Sequence, residues 1–267
     1  MKGICVWSVK EEGDADSIKL ANRLDIPRIV SEKPPTEGEW IFFYDEGELF
    51  LHSLGDEFKP LSVNYLEGEF VKRWRRPSSK DLLLRAVGKK KDPISICDPT
   101  CGLGYDAFFL ATQKGYDLTV CERNFLVAEL AMNALLRVKE EGRFEEFPFF
   151  FHLGDGIEFL KRQEAGAFDV VMLDPMYPRS IDQSAKQRKE MVFLRALAGD
   201  DQDAGKLFQE AERVAKKRVI VKRPDKAPSI TPHRKPDFQV EGSTVRYDIY
   251  LNTKEVKRGN VPNLVEI

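Results

Sequence analysis

Ile94-Ser95-Ile96-Cys97-Asp98-Pro99-Thr100-Cys101-Gly102-Leu103-Gly104-Tyr105-Asp106 runs from an apolar segment through an acidic residue into a glycine-rich turn. Ile94 to Cys97 is short, apolar and partly β-branched, which predicts a buried parallel strand. Gly102 and Gly104 allow positive φ and close backbone approach before a helix that begins near Tyr105. Amides left unpaired at such a helix start would face a ligand. A Gly-x-Gly between strand and helix also serves tight packing alone, so residues further along must decide whether this turn holds a nucleotide-like cofactor.

A chain of 267 residues with 42% hydrophobic and 32% charged residues accommodates one large α/β domain or an ordinary domain with a smaller partner, and the second fits better. No apolar run approaches the ~20 residues of a membrane span. The start, Met1 to Trp7, breaks at Lys10-Glu11-Glu12 and lacks a signal peptide's apolar core, so it reads as the first strand of a cytoplasmic protein. Cys5, Cys97, Cys101 and Cys121 are too few and scattered for a disulfide framework and are expected as reduced thiols. Cys97 and Cys101 lack a second ligand pair and His is scarce, so no metal is expected. The net charge of −2 argues against a wholly basic nucleic-acid binder, which leaves local clusters to carry any such role.

Residues 1–70 read as an accessory α+β domain, with a strand at Ile4 to Val9, a helix near Asp16 to Leu24, and a hairpin about Asp45-Glu46-Gly47. Lys72-Arg73-Trp74-Arg75-Arg76-Pro77 follows, either a phosphate- and base-binding run or a solvated linker. From there to about residue 253 strands and helices alternate, predicting a Rossmann-like α/β domain with a parallel sheet. Its further strands are Asp117 to Cys121, Phe147 to Leu153, Phe168 to Leu173 and Arg218 to Val221, with a terminal hairpin of Gln239 to Glu241 and Val245 to Leu251. Asn124 is placed to cap a helix through Val138, and further helices are expected near Glu190 to Ala198 and Ala204 to Lys216. Lys216, Lys217 and Arg218 would then complement a helix C-terminus. Residues 254–267 read as a tail.

In doubly wound sheets the ligand lies at the carboxyl ends of the strands, where Asp98, Glu122, Asp155 and Asp174 fall in succession. Glu122 stands near the ~20-residue offset at which an acidic residue grips a ribose diol. Gly102-x-Gly104-x-x-Ala107 satisfies a relaxed dinucleotide fingerprint. Asp98, however, would repel a pyrophosphate and attract the ammonium of a methionine moiety, so the charge balance favours S-adenosylmethionine. Asp174-Pro175-Met176-Tyr177 matches the [Asp/Asn]-Pro-x-[Tyr/Phe] turn of methyltransferases acting on exocyclic amino groups. There a carboxylate and a backbone carbonyl accept the amino hydrogens and aim the nitrogen lone pair, while the aromatic ring stacks on the base. Asp174, Pro175 and Tyr177 are therefore the catalytic candidates.

From about Val63 to Leu251 the sequence resembles the bacterial small-subunit ribosomal RNA guanine-N2 methyltransferase J family. The resemblance rests on Asp98 to Asp106, Glu122-Arg123-Asn124, Leu173 to Pro178, Lys189-Glu190-Met191, Val219 to Asp225 and Arg246 to Tyr250; the first sixty residues match it poorly. It implies cofactor contacts at Tyr105, Asp106, Glu122, Arg123, Asp155, Gly156 and Asp174, beside Asp98, Gly102 and Gly104 from the turn itself. For the RNA, the candidates are Arg73, Arg75, Arg76, Lys186, Lys189, Lys222 and Arg223. The expected function is S-adenosylmethionine-dependent methylation of a guanine N2 amino group in small-subunit ribosomal RNA, naked or in the assembled subunit, with no metal and no membrane partner. Methylation of another amino substrate, such as a DNA base or a protein glutamine, and a noncatalytic RNA-binding module are the alternatives.

Overall fold

The computed structural model describes residues 3–10, 14–54, 59–88, 92–142, 149–176, 197 and 203–252. In chain order the elements are β1 (Ile4–Ser8), α1 (Ala15–Leu24), β2 (Arg28–Val30), β3 (Trp40–Asp45), β4 (Glu48–Ser53), α2 (Gly68–Arg75), α3 (Leu82–Val87), β5 (Ile94–Asp98) and α4 (Tyr105–Ala111). There follow β6 (Tyr116–Glu122), α5 (Phe125–Glu140), β7 (Phe150–Leu153), α6 (Gly156–Lys161), β8 (Phe168–Leu173), α7 (Ala204–Val214), β9 (Ala215–Pro224), β10 (Phe238–Glu241) and β11 (Val245–Leu251). The chain divides into two compact units: Met1–Gly68 with Asn124–Phe147 and Arg179–Gly199, and Glu69–Arg123 with Pro148–Pro178 and Asp200–Ile267.

The first unit is built on a four-stranded sheet in the order β2-β1-β3-β4. Glu46 and Gly47 both adopt positive φ, which suits the tight turn between the antiparallel strands β3 and β4. Asn124 caps α5, its Oδ1 accepting from the amides of Leu126 and Val127. The helix is tied to β4 by Asn133, whose Oδ1 accepts from the Leu49 amide at 3.0 Å, and by the Arg137–Glu48 ion pair at 3.0 Å.

The second unit holds a seven-stranded sheet in the order β10-β11-β9-β8-β5-β6-β7. β7, β6, β5, β8 and β9 run parallel, and β11 lies antiparallel to both β9 and β10. Successive strands leave β5 in opposite directions, which makes its carboxyl end the switch point at which such α/β sheets bind ligands. α7 presents Leu207, Phe208, Ala211 and Val214 to a core shared with Val171, Leu173, Val219, Val221 and Tyr250, a helical-period stripe against inward-facing strand residues. Arg246 and Asp248 pair within this buried layer at 2.8 Å, and Arg246 also donates to the carbonyls of Pro224 and Ala227, fixing the chain after β9.

The structure corrects several sequence expectations. The basic run after residue 71 is largely helical: Lys72, Arg73 and Arg75 form the last turn of α2, and Arg76 and Pro77 follow it. Phe70 and Trp74 pack this helix edge-on against Tyr105 and Phe108, respectively. Lys216, Lys217 and Arg218 belong to β9 rather than to the last turn of a helix. Lys217 instead pairs with Asp169 at 2.9 Å, and Arg218 donates to the Ala86 carbonyl. The expected helix at Glu190 to Ala198 and the tail lie outside the described residues, apart from Leu197.

α6 begins where the backbone passes the turn after β5 so closely that a Cβ on Gly156 would lie 2.4 Å from the Pro99 carbonyl oxygen. Gly156→Ala must therefore push two backbone segments apart, and chemical denaturation is expected to show a loss of about 1–3 kcal/mol.

Candidate functional site at the carboxyl edge of the seven-stranded sheet

Asp98 ends β5 almost fully buried. Its Oδ1 accepts from both the amide and the hydroxyl of Thr100, each at 3.0 Å, an Asx-type turn that closes the chain on itself. The same Thr100 oxygen accepts from the amide of Asp174 at 2.7 Å, so one hydroxyl joins the end of β5 to the residue after β8. Burial pushes the Asp98 carboxyl up to about 7, opposed by the Thr100 hydrogen bonds and reinforced by Asp174 and Asp106. Among the described residues no cation pairs with it.

Beyond Thr100 the turn bends over the end of β6. The Cys101 amide donates to the Cys121 carbonyl, and the Gly102 amide donates to Glu122 Oε2 at 2.8 Å. Gly102 and Gly104 take φ of 57° and 75°, the left-handed region that glycine enters at least cost. The Gly154 amide donates to the Glu122 carbonyl, which brings Asp155 and Gly156 to the same edge. Asp155 caps α6, accepting from the Glu158 amide at 3.0 Å.

Asp106, in the first turn of α4, lies between two cations. Lys222 Nζ reaches its Oδ2 at 2.7 Å and Arg73 reaches its Oδ1 at 3.0 Å. Burial works against its ionisation, but Lys222 and Arg73 outweigh burial and hold the carboxyl below its ordinary range. Arg73 also pairs with Asp81 at 2.9 Å and lies over the Phe109 ring at 4.1 Å. Lys222 makes a second ion pair with Asp174 Oδ2 at 2.9 Å. Pro175, next in the chain, is buried.

The fold thus gathers Asp98, Gly102, Gly104, Tyr105, Asp106, Glu122, Asp155, Gly156, Asp174 and Pro175 in one unit along one strand edge. Arg123 stands half-exposed at the end of β6, paired with Asp203 at 3.4 Å. The basic candidates separate. Arg75 and Arg76 are exposed, whereas Arg73 and Lys222 are engaged with the site's carboxylates. Arg223 is 1% exposed and donates to the Pro228 carbonyl, because neighbours on a strand point to opposite faces. Tyr177, Lys186 and Lys189 lie outside the described residues.

Sequence reasoning missed Thr100, Asp81 and Tyr247. Asp-x-Thr at the end of a strand is an Asx-turn signal that would have found Thr100, and Asp81 carries the N-cap signature for α3. Tyr247 has no local signal. It enters the site by pairing across from Lys222, where burial, then Asp106, raises its hydroxyl's pKa.

These residues fit S-adenosylmethionine by the chemistry of their donors. A buried carboxylate with no cationic partner among the described residues suits an ammonium, Glu122 beside the Gly102 amide suits a ribose diol, and a side chain on Gly156 would fill the cradle at Pro99. A family model described as "Putative SAM-dependent methyltransferase" matches residues 26–252. Ribosomal RNA small subunit methyltransferase J of Marinobacter nauticus is 35% identical over 246 residues, 90% of this chain and 87% of its own length. The protein of that name from Thioalkalivibrio sulfidiphilus is 40% identical over 197 residues, 72% of this chain and 76% of its own. A crystal structure of a SAM-dependent methyltransferase from Neisseria gonorrhoeae shares the fold, with a TM-score of 0.69 at 24% identity, covering 97% of this chain and all of that one.

Thr100→Val keeps the side chain's shape but removes the hydroxyl that serves both Asp98 and the Asp174 amide. Leaving the buried Asp98 carboxyl short of a partner and the turn after β8 without its tether is expected to lower unfolding stability by about 1–3 kcal/mol, measurable by urea titration.

Proposed function

This chain belongs to the SAM-dependent methyltransferases of the ribosomal RNA small subunit methyltransferase J family, and from that premise we propose that it methylates the exocyclic N2 amino group of a guanosine in small-subunit ribosomal RNA. The observation that carries this reading is the Asp174-Pro175 turn, held by Thr100 and Lys222 beside the Asp98 and Glu122 edge. When bound, S-adenosylmethionine supplies an electrophilic methyl group on a sulfonium sulfur. Asp98 receives its ammonium and Glu122 its ribose diol. Asp174 and the Pro175 carbonyl accept the hydrogens of the guanine amino group and aim its lone pair along the line of attack. As the nitrogen gains the methyl group it gives up one of those hydrogens as a proton to solvent. Tyr177 supplies a stacking face for the base. Arg75 at the end of α2 and Arg76 just after it, both exposed, together with Lys186 and Lys189, meet RNA phosphates. The reading carries a cytoplasmic location, where small subunits are assembled.

Incubation of the purified protein with labelled S-adenosylmethionine and either naked small-subunit RNA or assembled subunits tests the reading. The expected product, by nucleoside mass analysis, is N2-methylguanosine, with the faster of the two substrates naming the physiological one. Label on another nucleoside, or transfer only to DNA or protein, would refute it.

The Asp98 assignment predicts a pH dependence with a definite sign. In the free protein the carboxyl titrates at about 7, whereas a bound ammonium favours its ionised form, so ligand binding below that pH must expel a proton. Affinity for S-adenosylhomocysteine is therefore expected to rise about tenfold per pH unit between about pH 5 and pH 7 and then level off. Calorimetry should also find that Asp98→Asn binds more weakly and loses this slope. A flat profile for the unaltered protein would remove Asp98 from the ammonium site.

A further inference from the structure

Lys222 was a natural candidate for an RNA phosphate contact, but its surroundings define a different task. It projects from β9, whose residue Val221 pairs with Leu173 of β8, so the register sets Lys222 beside Asp174. Its Nζ bridges Asp174 Oδ2 at 2.9 Å and Asp106 Oδ2 at 2.7 Å. Asp106 is in turn held by Arg73, and Arg73 by Asp81. The charges alternate along this chain, and every member belongs to the unit that carries the seven-stranded sheet.

Along this chain the carboxylates open outward, with side-chain exposure of 13% at Asp81, 18% at Asp106 and 45% at Asp174, while the cations between them, Arg73 and Lys222, are 32% and 26% exposed. The buried end is anchored by the N-cap of α3 and by the stacking of Arg73 on Phe109, and only the last carboxylate opens toward a substrate. Asp174 uses Oδ2 for Lys222, and its Oδ1 has no partner among the described residues. Its amide is fixed independently by Thr100. Main chain and side chain of the same residue are therefore tethered from two sides, by the turn after β5 and by β9.

We propose that Lys222 is a positioning residue for methyl transfer, which clamps Asp174 through one carboxylate oxygen so that the other faces the amino group of the substrate base. The proposal rests on the functional reading above and adds to it the group that sets the acceptor's direction. Burial disfavours the ammonium, but Asp174 and Asp106 outweigh burial and keep its pKa above the ordinary lysine value; the clamp stays charged across the working range. With two carboxylates on one ammonium, a phosphate would have to displace an ion pair already made. Lys222 acts within the site, and RNA attraction falls to the exposed Arg75 and Arg76 at and just beyond the end of α2.

The test compares Lys222→Met and Lys222→Arg with the unaltered protein in single-turnover methylation of small-subunit RNA across pH, together with RNA binding and carbon-detected titration of the Asp106 carboxyl. The charged and titratable groups that face this cluster are Arg73, Asp81, Asp98, Asp106, Asp174 and Tyr247. Lys222→Met is expected to slow transfer at saturating RNA by about tenfold or more, with RNA affinity changed by less than about threefold. The Asp106 titration should move to higher pH, because that carboxyl loses one of the two cations that hold it low, and the acid limb of the pH–rate profile should move the same way. Lys222→Arg keeps the charge and should keep the limb in place while transfer remains slowed by the altered reach. A merely structural lysine would lower the melting temperature and leave the acid limb where it was; that result, or a loss confined to RNA affinity and its salt dependence, would overturn the proposal. If the unaltered protein methylates no small-subunit RNA, the functional reading fails by itself, and an unmoved Asp106 titration in Lys222→Met would overturn the clamp separately. Should Lys222→Met not fold, an acid limb displaced in Lys222→Arg would overturn it too.

Discussion

Carboxylates crowd the strand ends that form this site, and like charges drawn together from water disfavour ionisation. Each is accommodated differently. Asp106 takes two cations, Lys222 and Arg73. Asp174 shares Lys222 and keeps its backbone on Thr100. Glu122 accepts the Gly102 amide, and Asp155 spends its charge on the first turn of α6, where a helix N-terminus favours an anion. Asp98 alone meets the problem from the other side, with burial pushing its carboxyl to about 7. The position of α2 follows from the same constraint, since Arg73 must reach Asp106 and Asp81 together while Phe70 and Trp74 seat the helix against α4.

The parallel sheet was legible because its strands are apolar runs that end in punctuation. Phe168–Leu173 stops at Asp174-Pro175, and Asn124 announces the helix that follows β6. What could not be read was direction and partnership. Lys222 and Arg223 are adjacent basic residues in the sequence, yet strand alternation sends one into the site and the other into the core. In Lys72 to Arg75 the charges masked a helix that Phe70 and Trp74 seat against Tyr105 and Phe108. The helix expected through Lys216 ends at Val214 because the chain turns straight into β9 at Ala215, with extended backbone and no connecting loop. Near the N-terminus, the three residues of β2 are too few to show a period. The family match also begins at residue 26, inside the stretch that the motifs alone had left outside the resemblance.

Precision at the turn after β8 comes from the strands rather than from the turn. β8 is flanked by β5 on one side and β9 on the other, and each neighbour contributes one tether, Thr100 from the chain after β5 and Lys222 from β9. A group on a loop held from two strands inherits the rigidity of the sheet, which is what a reaction sensitive to small displacements requires. The buried Arg246–Asp248 pair serves the same end one layer deeper, since its hydrogen bonds to the Pro224 and Ala227 carbonyls hold the chain that leaves β9 just beyond Lys222.

The two kinds of carboxylate divide the work of the site. Asp106 and Asp174 carry their counterions within the fold, so their electrostatic cost is met when the chain folds and their geometry is in place before any ligand arrives. Asp98 has no such counterion among the described residues, and the cost of ionising it falls on the binding step. Under the proposed function that cost is selective. An ammonium-bearing ligand relieves it, and a pyrophosphate at the same turn would add a second anion to a buried one. The glycine turn by itself admits both ligands, since backbone amides do not distinguish one phosphate-like or carboxylate group from another. The choice of cofactor therefore lies in the residue before the turn, and the choice of reacting atom in the residue after β8, which the Thr100 hydroxyl links at a single oxygen.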